Sequence, residues 1–184
     1  MRSRILVLAA VAAALLASGC SASDPATTTS ATPAASETNP YGAAAIDPLG
    51  PDEPVLSLEG GSAGTVVLTL AELEALGTQT VTLYEPFVKK QQTFTGVPLS
   101  ALFDRAGIAS DQDVDTIALN DYEYSANAGD LEASDALLAT QRDGAPIAYD
   151  QGGPIRLVYP DGTSLAGNLD AWNWSLARIS VSAG

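Results

Sequence analysis

Three short stretches hold the groups best suited to gripping a flat, polar molecule. They are "NDY" at Asn120, Asp121 and Tyr122, "GGPIR" from Gly152 to Arg156, and "AWNW" from Ala171 to Trp174. A carboxylate such as Asp121 accepts two parallel N–H bonds from a heterocycle that carries an amino group beside a ring N–H. Trp172 and Trp174, the only tryptophans, offer indole faces for stacking with little rotamer freedom to lose. Arg156 is a charge set inside an apolar run, and its planar guanidinium can reach a carbonyl or a phosphate. Gly153, in a glycine pair, lets backbone come close to a ligand. Each feature also has a purely structural reading: tryptophans in a core, Asp121 in a turn, Arg156 paired with an acid.

Other chemistry is poorly served. The chain has no histidine, which removes the commonest general base and the commonest metal ligand. "LEGGSAG" lacks the spacing and the lysine of a phosphate loop. "DQDVD" (Asp111, Asp113, Asp115) lacks the glycine and the distant glutamate of a calcium loop and reads as a solvated turn. With 22 acidic and 8 basic residues the formal charge is −14, so nucleic acid is excluded as a partner.

The N-terminal "MRSRILVLAAVAAALLASGC" pairs two arginines with an apolar run and small residues ending at Cys20, the sole cysteine. That is the pattern of a secretory signal peptide, and it resembles a bacterial lipoprotein signal, with Cys20 in the position that is lipidated. Residues 1–20 are therefore expected to be the leader, and the extracytoplasmic face of the bacterial cell membrane the location. Loss of Arg2 and Arg4 with the leader takes the charge from −14 to −16. Such a surface repels anionic headgroups, leaving the lipid as the membrane contact. Residues 21–54 are rich in Ser, Thr, Pro and Ala without an apolar period, the composition of a disordered tether. A flexible chain of that length spans roughly 30 Å.

Residues 55–184 are one domain's worth of chain. "VLSLEG", "TVVLTL", "TVTLYE" and "QQTFTG" read as strands. "TLAELEALG" carries a capping box, Thr69 with Glu72, and stops at Gly77. "PLSALFDRAG" reads as a helix from Pro98 to Gly107. "DTIALNDYEYSA" alternates as one or two strands around Asn120 and Asp121, and "GDLEASDALLATQ" suits helix or strand. "RDGAPI" reads as a turn, "PIRLVYP" as a strand and "WNWSLARISV" as a closing strand. Short strands and helices interleave without βαβ spacing, which predicts an α+β fold.

These stretches also carry a likeness. "TFTGVPLSALFDRAGI", "ALNDYEYSA", "LLATQRDGAPI", "GGPIRLVYP" and the terminal tryptophan pair with "RISV" resemble, in order, the oxidoreductase molybdopterin-binding domain, the central domain of sulfite oxidase and nitrate reductase. The resemblance implies an α+β fold of small mixed sheets with short helices and a pterin or molybdopterin pocket. In the enzymes a cysteine in the loop before "GVPL" ligates molybdenum; here the corresponding "YEPFVKKQQTF" has none. Molybdenum is accordingly not expected. The sequence supports a lipid-anchored domain that binds a metal-free pterin and presents it to a membrane-protein partner. Two alternatives stand beside it: a molybdopterin oxidoreductase without the usual thiolate, and an interaction module without a ligand. The residues expected at the pterin are Asn120, Asp121, Tyr122, Gly153, Arg156, Trp172 and Trp174.

Overall fold

The computed structural model describes residues 49–183; Cys20, the leader and the tether up to residue 48 lie outside them. The domain begins with strands β1 (Pro54–Glu59) and β2 (Val66–Thr69), paired antiparallel. Thr69 then caps helix α1 (Leu70–Glu74): its hydroxyl accepts from the Glu72 amide, and the Glu72 carboxylate takes the Thr69 N–H at 2.9 Å. Strands β3 (Gln79–Glu85) and β4 (Lys90–Pro98) form a hairpin closed by residues 86–89. Helix α2 (Leu99–Ala106) buries Leu99, Leu102, Phe103 and Ala106, one face at helical spacing, and ends at Gly107 in the left-handed conformation.

A second hairpin follows, β5 (Asp113–Ala118) and β6 (Glu123–Asn127), with Asn120, Asp121 and Tyr122 in its connection. The ambiguous "GDLEASDALLATQ" contains both elements: helix α3 (Ala128–Ala133), capped by Asn127, and strand β7 (Leu137–Arg142). Then come β8 (Ala145–Pro146), a 3₁₀ turn at Tyr149–Gln151, β9 (Arg156–Val158), a 3₁₀ turn at Leu169–Ala171 and β10 (Leu176–Val181). The closing strand thus starts four residues after Trp172. Ser175 takes a positive φ of 51°, which breaks the extended backbone and leaves the tryptophan segment irregular.

The strands make two five-stranded sheets, one in the order β2-β1-β10-β5-β6 and one built on β3-β4-β7-β8 with β9 also paired to β7. In the first sheet β10 runs parallel to β1 and antiparallel to β5; in the second all pairs are antiparallel. This is the α+β architecture expected. Leu58 and Ile179 from the first sheet and Leu83, Phe94, Leu138 and Leu157 from the second are fully buried in the core with Leu102, Phe103 and Leu131 of the helices. Each such side chain stabilises the fold by about 1.5–3 kcal/mol.

Candidate functional site

The two stretches richest in candidate residues run side by side. The Ser175 N–H donates to the Gly152 carbonyl at 2.7 Å, the Leu157 N–H to Asn173 at 2.9 Å, and the Leu176 N–H to Ile155 at 2.9 Å. Asn173 is fully buried and reaches the other sheet, donating from Nδ2 to the Thr116 carbonyl at 2.8 Å. The Leu119 N–H donates to Ser175 at 2.9 Å, which ties the β5–β6 connection to the same segment. Backbone hydrogen bonds thus bring "GGPIR", "AWNW" and "NDY" together.

Arg156 sits behind this assembly rather than in an opening. It is 1% exposed. One terminal nitrogen donates to Glu85 Oε1 at 2.9 Å and the other to the Gln151 carbonyl at 3.1 Å. Its guanidinium carbon lies 4.2 Å from the Trp174 ring centroid, a cation–π stack. Burial lowers the Arg156 pKa to about 10, opposed by the Glu85 charge. Glu85, fully buried, uses its second oxygen to accept the Val88 N–H at 2.6 Å. The pair therefore links the Trp174 ring to the loop carrying Phe87. Gly152, with φ +87°, completes the contact: a Cβ there would lie 2.8 Å from Trp174 Cγ.

In front of these residues opens a cleft of about 360 Å³. Phe87, Leu169, Trp172 and Trp174 give it apolar walls, and Asn120, Tyr122 and Asp170 give it polar ones. Phe87 meets the Trp174 ring edge-on, at 5.2 Å and 74°, and Trp172 at 6.4 Å. Trp172 is mostly a core residue: it is 3% exposed, donates from Nε1 to the Ala166 carbonyl at 3.2 Å and packs edge-on against Tyr159. Trp174 is half-buried, and its indole nitrogen is buried without a hydrogen-bond partner. The Tyr122 hydroxyl donates to the Asp170 carbonyl at 2.9 Å, and burial with the nearby Asp170 charge raises its pKa. The Asp170 amide donates to Asn168 Oδ1 at 3.2 Å. Its carboxylate accepts no hydrogen bond from the described residues.

The family model for the oxidoreductase molybdopterin-binding domain matches residues 44–168, more than half of the chain. The chain belongs to that family. The molybdopterin-binding domain here also resembles, among solved structures, the sulfane dehydrogenase SoxCD from Paracoccus pantotrophus, with a TM-score of 0.58 and 19% identity. The alignment covers 74% of this chain and 40% of that chain, and at this identity it shows a shared fold. A search of curated proteins gives no match. The family match begins ten residues ahead of β1 and ends before the tryptophan pair.

The cleft's donors fit one part of molybdopterin and not the rest. Aromatic walls with Asn120 and Asp170 beside them suit a flat ring. The other ends are less well served: residues 49–183 hold no cysteine to ligate molybdenum, and Arg156, a cation that could meet a phosphate, is committed to Glu85.

Of the seven residues expected at the ring, Asn120, Tyr122, Trp172 and Trp174 line the cleft. Three do not. Arg156 is withdrawn by its ion pair. Asp121 is an exposed turn residue with φ +62°, its N–H donating to the Ala118 carbonyl at 3.1 Å. Gly153 is buried against Ile147, where a Cβ would stand 1.8 Å from the carbonyl oxygen. Phe87, Leu169 and Asp170 were missed, as was Glu85 beneath them. Asp170 stands two residues before Trp172, and Glu85 continues the inward parity of Leu83 along β3, so both left a trace in the sequence.

Proposed function

We propose that this domain binds a pterin, without molybdenum, in the cleft between the Phe87 loop, the Asn120–Tyr122 connection and the Leu169–Trp174 segment. The observation that carries the reading is Trp174, a cleft wall held by the Arg156 stack and the Gly152 contact. A platform fixed in this way presents an aromatic face with no rotamer freedom left to lose on binding. The loop over the cleft is the stretch that resembles the thiolate-bearing loop of the enzymes; here Phe87 stands in it. Cleft volumes of about 300–1,000 Å³ are usual for small-molecule sites. Phe87 and Leu169 on the cleft wall are exposed apolar side chains, as are Val88 and Leu119, each next in the chain to a wall residue, which supports presentation of the bound ring to a partner protein.

The test is titration of reduced and oxidised pterins into the full chain, followed by tryptophan fluorescence, with elemental analysis of protein expressed in a host that makes the molybdenum cofactor. Saturable binding by metal-free protein is expected; one molybdenum per chain would replace this reading by the oxidoreductase one. Tethering through a lipid on Cys20 belongs to the same proposal. Cys20→Ser should move the protein out of the detergent phase, since stable anchoring rests on acyl chains at about 0.8 kcal/mol per buried CH₂.

A further inference from the structure

We infer that the cleft selects an uncharged heterocycle whose edge carries an amino group beside a ring N–H, that it rejects phosphorylated ligands, and that Asp170 sets this choice. The inference rests on the pterin reading and narrows it to a ligand class. Among the described residues Asp170 is the only ionic side chain on the cleft wall. Its backbone is fixed at both ends, the amide by Asn168 and the carbonyl by Tyr122, while its carboxylate stays free of donors among the described residues. Two parallel N–H groups on a ring edge match the two oxygens of such a carboxylate.

A phosphate would meet the opposite situation. The cation behind the cleft, Arg156, has its terminal nitrogens on Glu85 and Gln151 and its face on Trp174. Arg142 donates to the Gln151 side chain. Lys89 and Lys90 are exposed near the Phe87 loop but do not line the cleft. A phosphate entering here gives up water, finds no cation on the wall and faces the Asp170 charge in a chain of net charge −14. The same residue thus attracts the ring edge and repels the phosphate.

The experiment compares neopterin with neopterin monophosphate on the full chain and on Asp170→Asn, by fluorescence titration at low and high salt. Asp170 is exposed, so the variant should fold normally, which a thermal melt checks. The parent should bind the monophosphate about tenfold or more weakly than neopterin, with the gap shrinking as salt screens the repulsion. Asp170→Asn should weaken neopterin about tenfold and close most of the gap between the two ligands. Equal binding of both ligands by the parent, or unchanged selectivity in Asp170→Asn, overturns the inference while leaving a pterin cleft standing. No neopterin binding by folded parent protein overturns the pterin reading and this inference with it.

Discussion

Arg156 lies face-on to Trp174, 4.2 Å from guanidinium carbon to ring centroid, while Glu85 holds it from the side at 2.9 Å. The charge is thus part of the wall's support and not a ligand contact. Breaking a buried pair by removing one partner leaves the other charged and unpaired, at a cost of about 3–5 kcal/mol. Glu85→Gln and Arg156→Met should each lower the unfolding free energy by that order in denaturant melts. Combining Arg156→Met with Glu85→Leu should recover much of the loss, because no buried charge remains. Recovery of stability without recovery of ligand binding would mark the pair's role in aiming Trp174; additive losses would show that the pair does not act as a unit.

The two tryptophans should separate when replaced. Trp172 is buried against Tyr159 with its N–H satisfied, so Trp172→Ala should cost about 3–5 kcal/mol of stability. Trp174 is half-buried and lines the cleft more openly, so Trp174→Ala should cost less stability and abolish pterin binding. Thermal melts paired with titrations read both effects. Equal destabilisation by the two variants would place Trp174 in the core as well.

Gly152 is the hinge of the same arrangement. Gly152→Ala adds a Cβ 2.8 Å from Trp174 Cγ on a backbone at φ +87°. The left-handed conformation alone costs about 1–2 kcal/mol for a residue with a Cβ, and the tryptophan must then move. Lower stability together with weaker ligand binding is the expected outcome. A melt unchanged from the parent would show that the segment yields without strain.

How far the sequence could speak follows from these same residues. Local rules found the elements: the Thr69–Glu72 box, the Pro98–Gly107 helix and the paired strands around Asn120 all depend on near neighbours. The motif order then indicated the α+β fold. The site was half legible, because Asn120, Tyr122 and the tryptophans are carried to the cleft by contacts between distant segments. Whether Arg156 faces that cleft or Glu85 is settled by a residue 71 positions away, which no local pattern specifies. Asp121 lies off the cleft for a local reason: its chemistry suits a ligand, but its positive φ places it in the turn between its neighbours.

Alkaline pH should unfold this domain through its tyrosines. Tyr159 is fully buried, its hydroxyl donating to the Ala171 carbonyl at 3.0 Å, and burial raises its pKa far above the ordinary value of 10.0. Tyr122, Tyr124 and Tyr149 are raised as well, burial being the first cause for each. A phenol whose folded pKa exceeds its unfolded one keeps its proton in the fold after the unfolded chain has lost it. The stability it contributes is complete below about pH 10 and falls as pH rises beyond that. Arg156, lowered by burial to about 10, acts in the opposite sense over the same range, so the informative comparison holds it constant. Tyr159→Phe does so. The Ala171 carbonyl keeps the Asn173 N–H at 2.8 Å, so at pH 8 the variant should lose only about 0.5–1.5 kcal/mol. Urea melts at pH 8 and pH 11 should then show a smaller alkaline loss for Tyr159→Phe than for the parent. Equal losses would assign the alkaline transition to groups other than Tyr159.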